Sequence, residues 1–301
     1  MGTSLLRPFT TLFGCLSRAL SAVWRVAPSR FRFSVYGLLR RFGKEFCGRE
    51  HHHRLVQRLP FGLYLKYRSE PDGIRNEFNA LRVVRQHTSI PIPSALDVVT
   101  VPYTDRSGFS DREGYLLTPR VRGVPLFRCF YVLSDSDCDH IAMQLQDYVS
   151  QLRDMPRSVG SDTTISNTLG KACMEPRIRG ATPIGPFADE AAFSQWLRWP
   201  DDPARRGHRI LFTHADLNPR NILVDKVTRA DGSTGCAVTG IVDWENSGYY
   251  PEYWEYTKAL FEGFRWTKRH NDMMHRVFEK IGNYSREWDI EQRAWATGDT
   301  V

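Results

Sequence analysis

The sequence predicts a two-lobed α+β protein, with a small sheet-plus-helix lobe ahead of a larger, mainly helical one. Three observations carry that expectation. Strand-like alternation with one helical stripe is confined to the residues up to Thr118, the apolar spacing turns helical from Ser134, and one strand-turn-strand segment (222–225 and 237–242) interrupts the helical half. At 301 residues the chain has room for both lobes and a terminal extension. The expected divisions are a basic extension over residues 1–50, a small lobe over 51–118 and a large lobe over 119–301.

In the extension, the apolar stretch 12–26 is broken by Arg18 and Arg25, short of the ~20 apolar residues that a membrane span needs. Arg7, Arg18, Arg25, Arg30 and Arg32 with no acid before Glu45 suit two readings, a basic helix packed on a cytoplasmic body or a mitochondrial presequence. Residues 31–39 look core-facing, so residues 1–27 are expected to be dispensable for folding. The run His51, His52, His53 has no cysteine or acidic pattern beside it and reads as a solvated tract, not a metal site.

Next comes a hairpin around Pro60-Phe61-Gly62, in which Leu63, Leu65 and Tyr67 alternate with Tyr64, Lys66 and Arg68. After the Pro71-Asp72-Gly73 turn, Ile74, Phe78, Leu81 and Val84 draw one stripe on a helix that ends near Ile90-Pro91-Ile92-Pro93. Two further strands are expected at 95–101 and 114–118. Ser134 and Asp137 form a capping box ahead of the stripe Ile141, Leu145, Tyr148 and Leu152. Loops rich in Gly and Pro follow over 160–186, then a helix near 188–199, and helices again from Tyr253.

Charge excludes one function class. Residues 1–50 hold nine Arg or Lys against two Glu, which accounts for the whole net charge of +7. A neutral body argues against a broad phosphate-backbone surface, so no nucleic-acid partner is expected. The six cysteines lie far apart without a C-x-x-C pair and read as reduced, packed thiols.

The chemistry concentrates in His214-Ala215-Asp216-Leu217-Asn218-Pro219-Arg220-Asn221 and, after the second hairpin, Val242-Asp243-Trp244-Glu245. An H-x-D-L-x-x-x-N loop followed by a strand-end Asp supplies what phosphoryl transfer needs: a carboxylate to receive a hydroxyl proton, with an amide and a second carboxylate to hold Mg²⁺. Taken singly, Asp216 reads as a helix cap, Asn221 as a turn residue and Asp243 as an Asx turn. In this order around a hairpin, they point to a nucleotide site. His214 is expected to orient the loop through backbone hydrogen bonds.

These segments, with Ile222-Leu223-Val224-Asp225, Gly240-Ile241 and Tyr250-Pro251-Glu252-Tyr253-Trp254-Glu255, resemble the aminoglycoside phosphotransferase family of protein-kinase-like fold, and the Trp-Glu to Tyr-Trp-Glu run resembles its fungal branch. The resemblance implies a bilobal kinase-like α+β fold and an ATP- or GTP-dependent, Mg²⁺-dependent transferase acting on a hydroxyl of a small molecule. It implies Asp216 as catalytic base, Asn221 and Asp243 as Mg²⁺ ligands, Lys66 on the nucleotide phosphates and Glu77 as the partner of Lys66. Tyr115-Leu116-Leu117-Thr118-Pro119-Arg120-Val121 resembles the connector whose backbone meets the purine edge, through the Pro119 carbonyl and both backbone groups of Val121.

Two departures from the family pattern stand out. Ala215 occupies a position where the family commonly has glycine, which an ordinary loop tolerates and a positive φ penalises. No G-x-G-x-x-G precedes Lys66, so the same motifs also fit a nucleotide-binding scaffold without turnover, or a choline-, homoserine- or sugar-type kinase. Glu245, Glu252 and Glu255, beside Asp243 and the aromatic Tyr249, Tyr250, Tyr253 and Trp254, either hold a small cationic or hydroxylated acceptor or are structural carboxylates in an aromatic core.

Overall fold

The structure, a computed structural model, describes residues 23–48, 55–68, 71–104, 110–175, 183–229, 232–261 and 263–296. The histidine run and the first 22 residues of the basic extension lie outside them. The chain divides into two compact units, residues 1–74 with 96–118 and residues 75–95 with 119–301.

In the first unit, helix α1 (Ser29–Phe46) packs on strands β1 (Val56–Leu59), β2 (Leu63–Arg68), β3 (Asp97–Thr104) and β4 (Ser110–Pro119, to Thr118 in this unit), which run in the order β1-β2-β4-β3. The β1-β2 turn is the expected hairpin, with Val56 opposite Lys66 and Leu59 opposite Leu63. Its tight reversal sets Phe61 at φ 60° and leaves Gly62 at φ 68°, the left-handed region that glycine takes without a Cβ penalty. Tyr36, Leu59, Leu65, Val99 and Tyr115 make the core, where rings of Phe33, Tyr36 and Tyr67 surround Tyr115 at centroid distances of 4.9, 5.9 and 5.2 Å.

Buried Asp97 fixes α1 to β3. It accepts hydrogen bonds from Tyr36 Oη at 2.6 Å, Arg32 Nη1 at 2.5 Å and Trp24 Nε1 at 3.0 Å. Burial, with Asp97 beside it, drives the Tyr36 phenol far above its ordinary range. Helix α1 is thus part of the unit and not an appendage, and Trp24 gives residues 23–27 a structural role that the sequence reading assigned only from Pro28 onward.

Helix α2 (Asp72–His87) crosses from one unit into the other at Arg75. Its buried side is Ile74, Glu77, Leu81 and Val84, with Asn76 and Ala80, while Phe78 stays partly exposed. Glu77 therefore holds the place on the stripe that the apolar pattern gave to Phe78.

The second unit opens with β5 (Val124–Pro125), the short α3 (Leu126–Cys129) and α4 (Asp135–Arg153). Helix α4 begins with the expected capping box, since Ser134 Oγ accepts from Asp137 N at 3.1 Å and Asp137 Oδ2 accepts from Ser134 N at 3.2 Å. Burial opposes ionisation of Asp137, but the Ser134 hydroxyl, the Cys236 and Ser134 amides and Arg229 outweigh it and hold its carboxyl below the usual range.

Two three-stranded sheets follow, one of β6 (Ser166–Asn167), β10 (Gly248–Pro251) and β7 (Ile210–Thr213), the other of β5, β8 (Ile222–Thr228) and β9 (Thr234–Ile241). Helix α5 (Glu190–Ser194) is shorter than the 188–199 expected, because the chain turns from Gln195 through Trp199 at φ 50°. Helices α6 (Trp254–Phe261), α7 (Lys268–Glu279) and α8 (Ser285–Ala296) complete the unit. One core joins α4, α7 and the β8-β9 hairpin through Ile141, Leu145, Ile222, Ile241 and Met274; a second gathers Ile165, Phe193, Tyr250, Tyr253 and Trp254. The cysteines among the described residues are all free thiols. Among those residues no helix is long and apolar enough to cross a membrane.

Candidate active site

Strands β8 and β9 pair antiparallel, with Ile222 opposite Ile241, and Val242 N donates to the Asn221 carbonyl at 2.9 Å. That pairing brings the two ends of the hairpin together, so Asn221, closing the polar loop, stands beside the Val242-Asp243 strand end. The loop itself runs from β7 into β8.

Inside the loop both oxygens of Asp216 are occupied. Asn218 Nδ2 donates to Oδ1 at 2.8 Å, and Asn221 Nδ2 donates to Oδ2 at 2.8 Å and to the Asp216 carbonyl at 2.9 Å. Two amides thus fix the plane of the carboxylate. Burial raises the Asp216 carboxyl, Lys258 pulls it back down, and Asp243 raises it again, leaving it at about 6. A carboxylate with that value accepts a proton more readily than an ordinary one.

His214 is fully buried and bridges the loop to the strand end. Its Nδ1 accepts from Asp216 N at 3.1 Å, so Nε2 carries the proton and donates to the Val242 carbonyl at 3.1 Å. The neutral ring meets Trp244 edge to face at 4.5 Å. This is the orienting role the sequence suggested.

Glu255 on α6 accepts from His214 N at 2.6 Å and Ala215 N at 3.4 Å. Burial raises this carboxyl to about 7 against the lowering effect of those two amides. Ala215 takes φ 63°, the strained case at the position where glycine was expected. Lys258, one turn on from Glu255, forms a buried pair with Glu175 at 2.8 Å.

Asp243 also lies in the left-handed region, at φ 68° and ψ 59°, and leads into a single 3₁₀ turn, Trp244–Asn246. Oxygens of Glu77, Asp243 and Glu245 lie within 4.8 Å of one another. Buried Asn76 sets that grouping: its Nδ2 donates to the carbonyls of Ser247 at 2.7 Å and Glu245 at 2.9 Å, and its Oδ1 accepts from Thr168 N at 2.9 Å. The donor set is all oxygen and suits a hard divalent cation such as Mg²⁺. Asn221 spends its amide nitrogen on Asp216, which turns its amide oxygen away from that carboxylate.

Asp216, Asn221, Asp243 and Glu77, together with Pro119 and Val121, belong to the second unit, and Lys66, half-buried on β2, belongs to the first. Val121 packs its side chain against Gly240 on β9, where a Cβ would collide with it. Sequence reasoning missed Asn218, Asn76 and Lys258, and set Glu245 beside Asp243 only as an acceptor-binding or structural carboxylate. Of these, Asn218 alone had a signal, a second amide inside the loop. The aromatic cluster resolves as core: Tyr249, Tyr250, Tyr253 and Trp254 are at most 2% exposed. Glu252 pairs with Arg209 at 2.9 Å, so it and Glu255 are structural carboxylates.

Among solved structures, the chain is similar to the GDP complex of wild-type aminoglycoside 2′-phosphotransferase-IIIa, at 14% identity and a TM-score of 0.51, over 85% of this chain and 84% of that one. It is similar also to the streptomycin–ATP–APH(2″)-IIa ternary complex, at 10% identity and a TM-score of 0.50, over 87% and 88% of the two chains. These likenesses establish a protein-kinase-like fold. No curated protein is significantly similar to the chain. The family model of the phosphotransferase enzymes, APH, matches residues 49–289, which takes in the hairpin, the Asp216 loop and Asp243, and the chain therefore belongs to the APH phosphotransferase enzyme family.

Proposed function

We propose that this chain transfers the γ-phosphoryl group of ATP or GTP, with Mg²⁺, to a hydroxyl of a small molecule. The observation that carries the reading is the Asp216 carboxylate, clamped by Asn218 and Asn221 and raised to about 6, chiefly by burial. In this reading an Asp216 oxygen takes the proton of the acceptor hydroxyl as the hydroxyl oxygen bonds to the γ-phosphorus and the bond from phosphorus to the β-phosphate oxygen breaks. Asn221 and Asp243 would hold Mg²⁺, with Glu77 and Glu245 near enough to join the set. When bound, the ion neutralises charge on the β- and γ-phosphates. Lys66 would meet those phosphates, Glu77 would steady Lys66, and the backbone of Pro119 and Val121 would face the purine edge.

The streptomycin–ATP complex among the similar solved structures supports a small hydroxylated molecule as the acceptor class. Among the described residues, Glu252 and Glu255 are committed to structure and leave no ready carboxylate belt around those aromatics for a polycation, which favours a hydroxylated, weakly charged acceptor. The run from Trp244-Glu245 to Trp254-Glu255 supports a place in the fungal branch.

The test is ADP or GDP release by the purified chain with Mg²⁺ over a panel of hydroxylated metabolites and aminoglycosides. One acceptor should stimulate release, and Asp216→Asn should lower that rate by ~10² to 10⁴-fold while a thermal-shift titration still detects nucleotide. Unchanged turnover in Asp216→Asn would overturn the assignment.

A further inference from the structure

We infer that helix α1 carries a docking surface for an anionic membrane, on which the protein lies without spanning it. The inner side of the helix is spent on the first unit, through Arg32, Tyr36 and Gly43. Its outer side carries an apolar stripe that a helix packed on one sheet does not need. Phe31, Leu38, Phe42 and Phe46 recur at helical spacing and are 56, 62, 45 and 74% exposed. The Phe42 and Phe46 rings sit 4.7 Å apart. Val23 and Val26, just upstream, are exposed as well.

Charge selects the occupant. Beside the apolar stripe runs a basic one, with Arg30, Arg41 and Lys44 exposed at helical spacing and Glu45 the only acid on the helix. Arg40, Arg41, Lys44, Ser34 and Leu38 line a groove of about 510 Å³ between this stripe and Tyr115. Arg40 is held in place by stacking over the Tyr67 ring at 4.0 Å. A row of apolar rings flanked by cations, with a pocket of Arg, Lys and hydroxyl donors at the boundary, fits acyl chains below and phosphate headgroups beside them. A neutral apolar partner would leave the basic stripe unused, and a soluble polyanion would leave the phenylalanines unused. Residues 23–48 hold six Arg or Lys against one Glu, so the attraction lies on the same segment as the apolar stripe.

Co-sedimentation of the full chain with phosphatidylcholine vesicles, and with vesicles that also contain phosphatidylserine, tests this. The chain should pellet with the anionic vesicles and stay in the supernatant with the neutral ones. Phe42→Ser with Phe46→Ser, and separately Arg41→Glu with Lys44→Glu, should each weaken pelleting by about tenfold or more. Melting temperatures matching the parent's would show both variants folded, and the charge-reversal pair decides the matter if the serine pair does not fold. Three results would overturn the proposal: no pelleting with anionic vesicles, pelleting that neither variant reduces, and pelleting that appears only after residues 1–22 are removed. The last would assign the stripe to that segment as its cover. A lipid-free dimer abolished by Phe42→Ser with Phe46→Ser would assign it to a second copy and overturn the proposal too.

Discussion

Ala215 sits beside the catalytic loop's central carboxylate in a backbone conformation that costs an L-residue roughly 1–2 kcal/mol. Glu255 holds it there by accepting from the backbone N–H groups of His214 and Ala215, and the Ala215 methyl group is buried in the cluster of Ile165, Phe193 and Trp254. Strain and packing oppose each other at this residue. Ala215→Gly relieves the first and forfeits the second, so its stability should fall within about 1 kcal/mol of the parent. Ala215→Val keeps the strain, adds β-branching and overpacks a closed site, and should cost about 3 kcal/mol or more in urea unfolding. Equal stability of the Val variant would show that the loop can leave φ 63° freely. The sequence exposed the residue type and the motif position here, since Ala stands where the family commonly has Gly. It gave no sign of the dihedral, which follows from Glu255, forty positions away in the chain.

Elements were legible in proportion to how local their causes are. The stripe and capping box of α4 and the hairpin at Gly62 are written within a few residues, and they stand in the structure as the pattern predicts, except that Val149 is buried where Tyr148 was expected and Tyr148 is only partly buried. The β6-β10-β7 sheet was not legible, because its strands are two to four residues long and pair Gly248 with both Asn167 and Thr213. Strands so short show no alternation to read. Asn76 was hidden for a different reason, as a polar residue on the buried side of α2 whose partners, Thr168, Glu245 and Ser247, are remote in the chain, and Glu77 was named by the resemblance without its burial. The Lys258–Glu175 pair joins α6 to such a loop, with both side chains at most 5% exposed. Buried pairs are weak sources of net stability, but breaking one strands a charge. Lys258→Met should therefore destabilise the protein by about 3–5 kcal/mol, and Lys258→Met with Glu175→Leu should recover most of that loss. Additive losses in the double variant would show that the pair is not coupled.

Across the whole molecule, pH reaches stability through His208. Burial by itself would lower its pKa, but Glu190 on α5 at 2.6 Å and Glu287 on α8 at 3.3 Å outweigh it and raise it from 6.5 to about 9. The folded state therefore binds this proton more tightly than the unfolded chain does. The stabilisation is complete below pH 6.5 and is lost as pH climbs through about 9. Its upper bound is on the order of 3 kcal/mol. Melting temperature should fall between those limits, and His208→Gln should flatten that part of the curve. A parent curve already flat there would mean that the two glutamates do not hold the proton.

The amides of the Asp216 loop have a consequence in time. The loop has no helix or strand of its own, yet the N–H groups of His214 and Ala215 end on Glu255, that of Asp216 on His214, that of Asn218 on the Asp216 carbonyl and that of Arg220 on the Asn218 side chain. Each acceptor is itself held by a packed side chain or by the loop. For a deuteron to replace the protons of His214 and Ala215, the loop must part from α6, and an opening of that kind draws on the stability of the core; the Asp216 amide, bonded to the His214 ring, depends on the same anchorage. Amide exchange at residues 214–216 should accordingly run at the slow rates of α4 and not at the fast rates of surface turns, with Glu255→Ala releasing all three amides together. The clock of this loop is set by a helix that carries no reacting group.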